Sequence, residues 1–101
     1  MTFAACGRRP SAPPDSSIFV ILATYGYNCG ATPGNAMASV VKRCSRNLNC
    51  EYTVDASELG DPAPGCAKNF IVNYKCFQGA RERRVVVDAE ASGSVASLTC
   101  Q

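Results

Sequence analysis

Histidine is absent from this 101-residue chain. The Ser/His and Cys/His nucleophile pairs, which need an imidazole as general base, are therefore excluded. No Cys-x-x-Cys pair occurs, so zinc-ligand spacing is missing too, and the dispersed acids show no calcium-loop spacing. No run approaches the roughly 18 apolar residues of a membrane span. Ten Lys/Arg against eight Asp/Glu leave a net charge of +2, too weak and too interspersed to attract nucleic acid. The densest basic spot, Arg81-Glu82-Arg83-Arg84, carries its own acid and reads as a solvated strand start. A pair of carboxylates is the catalytic option left, as in a glycosidase. A domain this small offers little cleft in which to enclose and distort a substrate, so the chain reads as non-enzymatic, with no metal or cofactor called for.

Cysteine, by contrast, is abundant: Cys6, Cys29, Cys44, Cys50, Cys66, Cys76 and Cys100. Such density in a short chain points to a disulfide framework and an oxidising compartment, whether secreted, periplasmic or at the cell surface. The odd number leaves one thiol over, and Cys6 is the natural one, since its segment differs in character from the rest. Residues 1–17 read as a flexible tail and linker, with GRRPSAPPDSS (7–17) rich in proline and serine and lacking any apolar period. Within the tail, Phe3-Ala4-Ala5-Cys6 resembles a bacterial lipobox, which implies a lipid anchor on Cys6. Five residues do not supply the basic and apolar regions that a signal needs upstream, so a free or inter-chain thiol stays open as well.

The folded part is read as one domain, residues 18–101. IFVILATY (18–25) is apolar on both alternating faces, as a strand covered on both sides would be. Asn35 is a candidate helix cap ahead of Met37, Val40, Val41 and Cys44 at helical spacing. Short strands follow at 51–54, 69–76, 83–89 and 94–100, the second with Phe70, Val72, Tyr74 and Cys76 directed inward. The expected fold is α+β: a small disulfide-stapled antiparallel β-sandwich of about five strands with one main helix. Six cysteines leave many connectivities open, but three pairs are favoured. Cys44–Cys50 would pin the turn after the helix, and Cys76–Cys100, whose cysteines both close inward-facing strand patterns, would join neighbouring strands. Cys29–Cys66 then remains, tying two irregular loops together.

The second of those loops, 60-GDPAPGCAK-68, holds two prolines and two glycines between an acid and a base. Proline fixes φ and removes a donor, so the stretch is a shaped loop and neither helix nor central strand. Together with Ala23-Thr24-Tyr25-Gly26 and Cys44-SRNLN-Cys50, the run 60-GDPAPGCAKNFIVNYKC-76 resembles the rhamnose-/galactose-binding lectin domain of the sea-urchin-egg-lectin type. That family has a strand ending in Tyr-Gly-Arg, a helix followed by Cys-x5-Cys, and a Gly-Asp-Pro-Cys-x-Gly-x-x-Lys-Tyr-Leu-x-Val-x-Tyr-x-Cys stretch. Roughly residues 18–76 are covered in order. Tyr27 stands where the family has Arg, and Ala63 where it has a cysteine, here displaced to Cys66. The family's first strand is missing from the N-terminus, but 89-AEASGSVASLTC-100 resembles it. A circularly permuted arrangement is therefore expected, and the family's equivalent of Cys76–Cys100 is paired.

The resemblance implies calcium-independent binding of mono- or oligosaccharides on glycoconjugates through Tyr25, Asp61, Gly65, Lys68 and Glu90. These types suit vicinal hydroxyls: carboxylates accept from them, an ammonium donates, and an aromatic ring packs a C–H face. Each residue also has a plainer role. Asp before Pro begins turns, an exposed Lys–Asp pair contributes about 0–1 kcal/mol, strand-end tyrosines pack, and glutamates are mostly solvated. A single exposed site would bind weakly, so oligomers or multiple copies are implied for avidity. The rival reading is a protein-interaction or structural module on the same scaffold.

Overall fold

The computed structural model describes residues 17–76 and 80–100. The tail and Cys6, with both readings of it, lie outside the described residues. Two antiparallel sheets enclose the core. In the larger, β1 (Phe19–Tyr25) and β4 (Arg83–Val87) flank β3 (Phe70–Lys75). In the smaller, β2 (Asn49–Thr53) pairs with β5 (Val95–Thr99). The main helix, α1 (Met37–Cys44), covers the core between β1 and β2. The fold is thus a small α+β structure of five strands and one main helix, stapled by three disulfides.

Alternation decides which side chains fill the interior. Phe70, Val72 and Tyr74 face inward from β3, opposite Tyr25, Ala23 and Val20 of β1. From the other sheet come Tyr52, Ala96 and Leu98, and from α1 Val40 and Cys44. Tyr52 stacks on Phe70 with ring centroids 5.4 Å apart, an aromatic bridge between the two sheets. The Tyr74 hydroxyl also spans them, accepting from Thr99 N at 2.9 Å and donating to Thr99 O at 3.0 Å.

Three local expectations change. β1 is an edge strand and is not fully covered on both faces: Phe19 and Leu22 stand about half exposed on its outer face. An extra residue between Val20 and Leu22, a bulge, keeps the inward alternation in step with β3. Asn35 does not cap α1, whose N-cap is Ala36. Its amide instead brackets the backbone of Tyr25, accepting from Tyr25 N at 2.7 Å and donating to Tyr25 O at 2.8 Å. Cys76 and Cys100 follow strands of different sheets, so their bridge ties sheet to sheet. The sequence reading also missed α2 (Ala56–Leu59), a single turn capped by Asp55, which accepts from Ser57 N at 2.9 Å.

Candidate functional site

Tyr25 ends β1 with its ring turned inward, 1% exposed. Its hydroxyl is buried and needs a partner, and it donates to Glu90 Oε2. Glu90 lies in the connection between β4 and β5, where Ser92 N also donates to Oε2 at 3.0 Å. Its other oxygen, Oε1, accepts the Lys68 backbone amide at 2.7 Å, and Ala91 N returns a bond to Lys68 O at 2.9 Å. One carboxylate therefore fastens three segments that are remote in sequence.

Lys68 is only 6% exposed. A buried ammonium is costly unless paired and hydrogen-bonded, and this one is both. Nζ donates to Cys66 O at 2.8 Å, meets Asp61 Oδ1 at 2.9 Å, and stands 3.9 Å from Glu90 Oε1. It also lies 5.6 Å from the centroid of the Tyr25 ring, within cation–π range. The aliphatic stem runs against Gly26, where an added Cβ would sit 3.1 Å from Lys68 Cγ. Gly26 also has φ +92°, so this position suits glycine on two counts.

The loop that carries Asp61 is held from two sides. The Cys29–Cys66 disulfide joins it to the turn Tyr27–Cys29. Asn28 and Asn69 then clamp the same segments: Asn28 Nδ2 donates to Ala67 O at 2.9 Å, Asn69 N to Asn28 Oδ1 at 2.9 Å. Gly65 sits exposed at the tip with φ +83°, and a Cβ there would meet open space. Asp61 is the outermost of the charged groups, its side chain 54% exposed.

The five residues singled out in the sequence thus fall in one region, in two layers. Asp61, Gly65 and Glu90 are at the surface, whereas Tyr25 and Lys68 lie beneath with their polar atoms engaged. Electrostatics follow from the contacts. The Glu90 carboxyl is held at about 2, chiefly by the Tyr25 hydroxyl and then by the Lys68 amide. Tyr25 is pushed up to about 12, first by burial and then by its bond to Glu90. Two carboxylates around one ammonium make the cluster formally −1 at neutral pH.

Sequence reasoning passed over Gly26 as the surface against which the Lys68 stem lies, the Asn28–Asn69 clamp and Ser92. It also missed a second polar cluster between α1 and α2. There Ser39 Oγ lies 2.6 Å from Tyr52 Oη and donates to Glu58 at 2.7 Å, while Arg43 pairs with Glu58. A cavity of about 250 Å³ opens beside it, lined by Asn35, Ser39, Lys42 and Glu58 among others. Among the described residues no group of three or more His, Cys, Asp or Glu is placed to hold a metal ion. In comparisons with family models, curated proteins and solved structures, nothing matches the chain.

Proposed function

We propose that this chain is a calcium-independent carbohydrate-binding module for L-rhamnose- or galactose-type sugars, with its site at the mouth formed by Asp61, Gly65 and Glu90. The observation that carries this reading is the convergence of Asp61, Lys68, Glu90 and Tyr25 from three chain segments into one hydrogen-bonded cluster. Asp61 holds Lys68 through Oδ1. No hydrogen bond engages its second oxygen among the described residues, so an exposed acceptor is left for a sugar hydroxyl. Glu90 offers a second exposed carboxylate nearby, and Lys68 fixes the separation of the two from below. A ligand of vicinal hydroxyls suits such a pair, and a preformed loop lowers the ordering cost of binding.

The three intramolecular disulfides fit an oxidising compartment. Placed on a secreted, periplasmic or cell-surface protein, the module would meet glycoconjugates, and several copies would supply avidity. A second reading has one observation in its favour: Tyr25 and Lys68 are buried and internally satisfied, as in a scaffold that needs no ligand. That reading makes the domain a protein-interaction or structural module.

Calorimetric titration with rhamnose and with galactose, with and without a chelator, separates the two. The carbohydrate reading expects saturable binding indifferent to chelation, weakened at least about ten-fold by Asp61→Ala, the size of one charge-assisted hydrogen bond. Absence of heat and of competition at any sugar concentration would favour the interaction module.

A further inference from the structure

Of the four tyrosines in the chain, three are buried and one, Tyr27, is 59% exposed. A single exposed aromatic on a mobile loop would be unremarkable surface. Tyr27 is differently placed. It directly follows Gly26, whose backbone forms the wall against which the Lys68 stem lies. Its turn is closed by Gly30 N donating to Tyr27 O at 3.2 Å. Two residues on, Cys29 is bridged to Cys66, and between them Asn28 is clamped to Ala67 and Asn69. The ring is therefore mounted on fixed backbone, on a turn that the Cys29–Cys66 bridge and the Asn28–Ala67 bond hold beside the loop carrying Asp61.

We infer that Tyr27 is a stacking platform for a second pyranose, linked to the one held at Asp61 and Glu90. This rests on the carbohydrate reading of that site and deepens it, from monosaccharide to a glycan of at least two units. Chemistry favours the pairing. A pyranose presents hydroxyls at its edge and polarised C–H bonds on its face, and the π face of an aromatic ring carries the complementary negative charge. The cluster beside Gly26 supplies acceptors for hydroxyls, whereas Tyr27 supplies a large apolar face with two side-chain torsions to fix, so contact area comes at low entropic cost. Only a ligand with both kinds of surface uses both features.

Calorimetry with rhamnose and galactose, and with rhamnobiose and galactobiose, tests this on the wild type, Tyr27→Ala and Tyr27→Phe. Wild type should bind one disaccharide more tightly than its monosaccharide, and Tyr27→Ala should remove that gain, a loss of about three- to ten-fold. Tyr27→Phe should retain it, and monosaccharide affinity should be unchanged in both variants. Nitration read by mass spectrometry gives an independent check, because Tyr27 is the accessible ring and the disaccharide should protect it. If Tyr27→Ala binds disaccharide like wild type, the platform is refuted while the site stands. If it loses mono- and disaccharide binding equally, the ring touches the first sugar and the second-unit assignment is wrong. If wild type binds none of the four, the carbohydrate reading itself fails and takes the platform with it.

Discussion

The hydroxyl of Tyr25 donates to a Glu90 oxygen across 65 residues of sequence, and the other oxygen of that carboxylate takes the Lys68 amide at 2.7 Å. Glu90 is thus a structural rivet as well as a surface acid. Glu90→Ala would strand a buried tyrosine hydroxyl and a backbone donor. An unsatisfied buried group costs about 1–3 kcal/mol, so a destabilisation of that size is expected in urea unfolding. Glu90→Gln keeps an acceptor and should lose less. For comparison, Ser39→Ala, which removes the partner of the Tyr52 hydroxyl in the remote cluster, should destabilise without altering sugar affinity.

The same bond sets a pH dependence at both extremes. The Glu90 carboxyl falls from 4.5 to about 2 in the folded chain. The unfolded chain therefore takes up this proton first as pH drops, and stability is lost between about 4.5 and about 2. Tyr25 rises from 10.0 to about 12, so the unfolded chain releases its proton first, and stability declines as pH climbs through that window. Urea midpoints measured against pH should show both limbs. Glu90→Gln should flatten the acid limb, and tyrosinate absorbance should show Tyr25 titrating earlier, though still late because burial is the larger cause.

Gly26→Ala introduces a methyl at φ +92° and 3.1 Å from the Lys68 stem. Left-handed backbone alone costs a non-glycine residue about 1–2 kcal/mol. Stability should fall by at least that much, and Lys68 should shift away from Asp61. Gly65→Ala meets open space at φ +83°, so its loss should be confined to the backbone cost. Thermal melts of the two variants give the comparison.

Pairwise replacement of cysteines by serine should follow loop length. The bridges close sequence separations of 37, 24 and 6 residues for Cys29–Cys66, Cys76–Cys100 and Cys44–Cys50. Chain-entropy scaling then gives losses of about 4, 3 and 2 kcal/mol in that order. Removing Cys29–Cys66 should in addition weaken sugar binding, because it frees the Asp61 loop from the Tyr27 turn.

Strand pattern made much of this fold legible. Inward alternation of Phe70, Val72 and Tyr74 is a period-two signal that burial enforces, and the prolines around Asp61 exclude regular structure by geometry alone. What escaped was decided by tertiary contact. Asn35 looked like a helix cap because its type suits one, but the Tyr25 backbone bonded it first. Phe19 and Leu22 looked buried because they are apolar, yet they stand on the outer face of an antiparallel sheet, where nothing covers them fully. At the site, it was the family resemblance, not residue type alone, that suggested which side chains to group. Depth was not readable: that Lys68 and Tyr25 lie under Asp61 and Glu90 depends on the β4–β5 connection folding across the 60–69 loop.

A nitrogen–proton correlation NMR titration of the disulfide-intact protein with rhamnose and galactose tests the central claim most directly. Saturable amide shifts at residues 25–29, 61–68 and 90–92, lost in Asp61→Ala, are the expected result. A spectrum that does not respond to either sugar, or shifts confined to the α1–α2 face around Ser39 and Glu58, would contradict it.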